Sequence, residues 1–199
     1  MPTKSEPELR SLVRTVEARS DGNKMTVAGY AAVFGEEANI YDWFIETVAR
    51  GAFTNTLKTA DVRAYFDHDR GRVLGRMSTG TLRLKEDDKG LAVEIDLPDT
   101  TDGRDVFVLV QRGDVSGMSF RFDAVRQEWD ETVDPPRRTL LELELGEVSI
   151  VSEPAYDGTS IALRSREDAK KEMRSKNFNA AASRLRMKAD LDLKVRSKA

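Results

Sequence analysis

The chain has 199 residues, 39% hydrophobic and 34% charged, with a net charge of −3, which suits one domain with its own core and is short for two. It contains no cysteine, so disulfides, thiolate metal sites and a thiol nucleophile are excluded and any chemistry uses oxygen or nitrogen. No apolar run approaches the ~20 residues that span a bilayer, and Met1 to Arg19 lacks the apolar stretch of a secretory signal; a soluble protein that is not exported is expected.

Taken in chain order, residues 1–24 read as a polar N-terminal arm, irregular or forming an edge strand, with Asp21-Gly22-Asn23 as a turn. The ordered domain is expected over residues 25–163. Its first strand is "MTVAGYAAVFG", rich in β-branched and small apolar residues and closing on Gly35. Trp43 to Val48 suit a short strand and Ala52 to Thr59 a short helix. "DVRAYFDHD" alternates, placing Val62, Ala64, Phe66 and His68 on one face of a predicted strand. Strands then break at Gly75 and Gly80, and Asp87-Asp88-Lys89-Gly90 supplies the turn of a hairpin. Val106, Leu109 and Val110 have the spacing of a helix face, with Gly113 where a C-terminal cap belongs.

"VSGMSFRFDAVRQEW" alternates again, with Met118, Phe120 and Phe122 on one side and Ser119, Arg121 and Asp123 on the other. After Pro135-Pro136, "RTLLELELGEVSIVSEPA" is a final strand-like run. Many short strands with two or three helices point to an α+β, mainly β domain, a barrel or sandwich with helices packed outside. Residues 164–199 hold 12 Lys plus Arg against 5 Asp plus Glu, a basic tail expected to be helical after an acidic body. Such a tail is either a solvated extension or a contact for nucleic acid or an acidic protein surface.

His68 is the sole histidine and so the only side chain whose ordinary titration lies near neutral pH. A lone histidine on a partly apolar strand is more often a packing residue, and Asp67 and Asp69 beside it make at most a weak carboxylate metal site, which is discounted. Ser119 lies in "SGMSFRF", with Gly117 before it and Phe120 and Phe122 facing away; Ser116 is a competing hydroxyl. A serine nucleophile needs a base, and by elimination that base is His68. The third member should be a carboxylate that orients the imidazole. Glu147 falls in phase with Leu141, Leu143 and Leu145, an acid on an apolar face that wants a partner; alternatively a bulge at Gly146 resets the phase and exposes it. Asp67, Asp69 and Asp114 remain substitutes. Oxyanion donors are expected among backbone N–H groups, with the "SEPAYDG" loop a candidate.

Together, "GYAAVFG", "FIETVARGAF" with Glu46 and Gly51-Ala52-Phe53, "YFDHD", "VLGRM", "KGLAVEIDL", "GDVSGMSFRF" and "GEVSIVSEPAY" resemble the prohead serine protease family of tailed phages and prophages. The matching segments run in the family's order over residues 27–159. The resemblance implies a fold distantly similar to herpesvirus assemblin, a β-barrel with surrounding helices and a serine/histidine site on its strands. Assemblins use a second histidine as third member; this chain has none, which favours Glu147. The implied activity is peptide-bond hydrolysis with Ser119 as nucleophile and His68 as base, without a cofactor. The implied substrates are the scaffold segment of the major capsid protein and the protease itself, cut inside the assembling prohead in the host cytoplasm. Self-cleavage would release the tail, which, or the N-terminal arm, would hold the enzyme in the shell; a homo-oligomer is compatible with this. The alternative is a non-catalytic capsid-assembly or scaffolding protein. Nucleic acid is the poorer partner, since Phe178 is the tail's one aromatic residue.

Overall fold

A computed structural model describes residues 7–12, 16–22 and 24–153. All lie in the first of the two units into which the chain divides, Met1–Ile161 and Ala162–Ala199. The basic tail, its expected helix and its proposed release therefore fall outside the described residues.

The described chain is mainly β. It runs β1 (Glu8–Leu12), β2 (Val16–Asp21), β3 (Lys24–Val33), β4 (Ala38–Ile40), β5 (Phe44–Val48), α1 (Thr56–Thr59), β6 (Arg63–Phe66), β7 (Asp69–Arg76), β8 (Leu82–Glu86) and β9 (Gly90–Asp96). Then follow α2 (Thr101–Arg112), β10 (Gly117–Asp130) and β11 (Arg137–Val151). The β8–β9 hairpin turns where the Asp-Asp-Lys-Gly run predicts: Asp87 Oδ1 accepts from the Lys89 and Gly90 amides at 2.8 and 2.9 Å. Gly90 is there because a Cβ would sit 1.9 Å from the Ala32 carbonyl oxygen. Helix α2 has the expected Gly113 cap, left-handed at φ 82°, and at its other end the Thr100 hydroxyl accepts from the Gly103 amide.

The strands form two sheets. A four-stranded sheet has the order β2-β3-β9-β8, and a seven-stranded sheet the order β1-β10-β11-β5-β4, with β6 also on β11 and β7 on β6. The two sheets are not closed into the barrel that the resemblance implied. The physical reason lies in β11, whose single edge is shared: residues 137–140 pair in parallel with β5 and residues 147–150 in parallel with β6. A sheet that forks this way ends in several edges instead of curling onto one.

The core fills the space between the sheets. Val27, Leu91, Val93 and Ile95 from the smaller sheet meet Phe53, Leu74, Met118, Phe120, Phe122, Leu143, Val148 and Ile150, with Val106 and Val110 of α2 packed in. Each such side chain contributes roughly 1.5–3 kcal/mol by leaving water. Phe120 is central, edge-on to Phe53 at 5.7 Å and stacked on Phe122 at 5.2 Å. This packing fixes which face of β10 is apolar, and hence turns Ser119 and Arg121 to the opposite face.

Candidate active site

Four strands of the larger sheet, in the order β1-β10-β11-β6, build the site. The registers Ser11↔Ser119, Ser119↔Ser149 and Ser149↔Tyr65 set four hydroxyl residues in one row across the sheet. The adjacent row is Leu9, Arg121, Glu147 and Arg63. Paired residues on neighbouring strands project to the same side, so Ser119, Ser149, Arg121 and Glu147 share a face, opposite to Phe120, Val148 and Ile150.

Glu147 reaches this face through a bulge. Between Arg121 and Phe122 the register slips, leaving Gly146 as the extra residue between Leu145 and Glu147. The leucine phase therefore ends at Leu145, and Val148 and Ile150 take over the core. The expectation that Glu147 lies on the apolar face is corrected, and so is its alternative: the phase does reset, yet Glu147 stays buried, at 4% exposure.

His68 is not on a strand in phase with Phe66. Phe66 pairs with Asp69, and Asp67 and His68 form the turn between them, both with positive φ, 49° and 59°. This is the two-residue hairpin of type I′ sign, a conformation that Asp and His tolerate better than most residues. Its effect is to lift the imidazole over the polar face, where Nδ1 lies 2.7 Å from Glu147 Oε1. A carboxylate can only accept, so the contact selects the tautomer with the proton on Nδ1 and leaves the Nε2 lone pair available as a base. The other Glu147 oxygen faces Arg121 Nε at 3.9 Å.

The remaining candidates separate clearly. Ser119 is fully buried, and its Oγ donates 2.9 Å to the Arg10 carbonyl of β1. Ser116 precedes β10 and is half-buried. Asp67 caps the end of β11, accepting from the Ser152 amide at 2.7 Å; Asp69 accepts from the Gly71 amide, and Asp114 pairs with Arg112. Of the four acids weighed, Glu147 is the one bonded to the imidazole. The "SEPAYDG" loop lies outside the described residues from Pro154 onward.

One feature on the opposite face of the sheet from the site escaped sequence reasoning. The arm residues Glu8 and Arg10 are buried on β1, in a four-charge network with Glu46 of β5 and Arg138 of β11. Arg10 reaches Glu46 at 2.5 and 2.9 Å and Glu8 at 2.8 Å, while Arg138 reaches Glu8 at 2.7 Å and Glu46 at 2.8 Å. Burial pushes the Glu8 carboxyl up, but bonds to Arg138 and the charges of Arg138 and Arg10 outweigh it and hold Glu8 below its ordinary range. Burial likewise opposes the charge on Arg10, and Glu46 and Glu8 more than restore it. The network pins the strand whose carbonyl holds the Ser119 hydroxyl.

No curated protein matches the chain in sequence. Among solved structures, the bacteriophage T4 capsid assembly protease gp21 superposes with a TM-score of 0.52 at 11% identity, over 75% of this chain and 99% of that one; the likeness is one of fold. The sequence pattern of the Caudovirus prohead serine proteases matches residues 12–174, which include the histidine hairpin, the serine strand and the strand of Glu147. The chain therefore belongs to the caudovirus prohead serine protease family, as a protease of capsid maturation.

Proposed function

We propose that Ser119, His68 and Glu147 form the catalytic triad of this protease, and that its substrates are the scaffold segment of the capsid protein and the enzyme itself. The observation that carries the reading is the 2.7 Å contact between His68 Nδ1 and Glu147 Oε1, made on the face of the sheet that bears Ser119.

In this reading Ser119 Oγ attacks the scissile carbonyl while its proton passes to His68 Nε2. The imidazolium is stabilised by Glu147. His68 then protonates the departing amine, leaving an acyl-enzyme. Water attacks the acyl carbon as His68 takes its proton, and the acid product leaves with Ser119 restored. In the structure the hydroxyl is held by the Arg10 carbonyl, a resting arrangement from which it must turn before it can react.

The test is co-expression with the cognate capsid protein, comparing wild type with Ser119→Ala by the mass of the capsid protein in assembled proheads. Shortened capsid protein with the wild type and full-length protein with the variant is the expected pair of results. Full-length capsid protein in both, or equal processing by both, overturns the assignment.

A further inference from the structure

Ser149 is the member of the hydroxyl row that stands between Ser119 on β10 and Tyr65 on β6. It is fully buried, and its Oγ has no hydrogen-bond partner among the described residues. Buried hydroxyls are nearly always paired, so an orphan one calls for a reason. An alanine would fill the position without that cost.

Neighbouring strands lie about 5 Å apart. Ser119 is thus one strand from Ser149 and about 10 Å from the strand that leads into the His68 turn. An imidazole anchored on Glu147 meets the Ser119 hydroxyl only above β11, and Ser149 lies two residues beyond Glu147 along that strand, opposite Ser119. The present partner of Ser119 is on the other side, the Arg10 carbonyl of β1.

We propose that Ser149 is a positioning residue for the nucleophile. When the Ser119 hydroxyl turns away from β1, Ser149 donates its hydrogen to Ser119 Oγ. That bond holds the oxygen over β11 and leaves the Ser119 proton directed at His68 Nε2. It strengthens as negative charge gathers on Oγ during proton transfer, because a donor to a charged oxygen is worth more than one to a neutral hydroxyl. No bond of the substrate is touched by Ser149.

This inference rests on Ser119 and His68 being the catalytic pair. The experiment is the rate of covalent labelling of proheads, assembled by co-expression with the capsid protein, by a fluorophosphonate, read at the Ser119 peptide for wild type, Ser149→Ala and Ser119→Ala, with thermal unfolding of each purified chain. Ser149→Ala should label about tenfold more slowly, the worth of one lost hydrogen bond to the reacting oxygen, and should melt no lower than wild type, since an unpaired buried hydroxyl is removed. A structural role would instead lower the melting temperature and leave the labelling rate of folded protein unchanged. Equal rates for wild type and Ser149→Ala overturn the role of Ser149 alone. Absence of label at Ser119 in the wild type overturns the catalytic reading and this inference with it.

Discussion

At the scale of single residues, the proposed triad requires that Glu147 fix the tautomer of His68. Glu147→Gln keeps shape and burial but offers an amide that can present either an N–H or a carbonyl to Nδ1. Capsid processing by this variant should fall by on the order of 10³- to 10⁴-fold, as expected when the orienting acid of a triad is neutralised, while urea unfolding shows a native-like transition. A loss below tenfold would mean that Glu147 only packs. The sequence pointed to these side chains by different routes. His68 stood out by being single, and Ser119 by its alternation against Phe120 and Phe122. Glu147 was singled out by a phase argument that the Gly146 bulge invalidates; the acid that meets the imidazole was still the one named, because an acid in an apolar strand wants a partner, whichever face it occupies. The His68 turn was not legible, because alternation through Phe66 hides a hairpin with no glycine or asparagine to mark it.

At the scale of elements, β1 depends on charges buried far from water. Arg138 is fully buried and serves both Glu8 and Glu46. Arg138→Met would leave two buried carboxylates sharing Arg10 alone, so unfolding in urea should show a loss of about 3–5 kcal/mol. Acid acts on the same network. Because the folded Glu8 carboxyl is held below its ordinary value of 4.5, its stabilisation is fully present above that value and is lost as the pH falls through the lower folded one. The melting-temperature gap between wild type and Glu8→Gln should therefore be widest near neutrality and close in acid. A gap that grows on acidification would contradict the placement of Glu8. Packing sets a further limit at the β8–β9 turn. Gly90→Ala drives a Cβ against the Ala32 backbone, and calorimetry should report a loss of about 1–3 kcal/mol. Turn and cap signals of this local kind, such as Asp87-Asp88-Lys89-Gly90 and Gly113, were readable from the chain because a few adjacent residues determine them. The burial of Glu8 and Arg10 was not, since it depends on Glu46 and Arg138 from distant strands.

At the scale of the whole molecule, short strands and few helices were visible in the order of apolar runs and turns, and the family in the order of its segments. The forked sheet was not, because the pairing of β11 with both β5 and β6 is a choice among non-local partners that alternation cannot rank. That fork matters for function. It brings the His68 hairpin onto the same strand that β10 flanks from the other side, so His68, Glu147 and Ser119, the proposed base, orienting acid and nucleophile, arrive from three segments on one face. The most direct measurement is peptide mapping of the enzyme, taken from assembled proheads, after reaction with a fluorophosphonate. The expected result is one adduct, on the Ser119 side chain itself, and its disappearance in His68→Ala. An adduct confined to Ser116 or Ser149, or labelling of Ser119 that persists without His68, would contradict it.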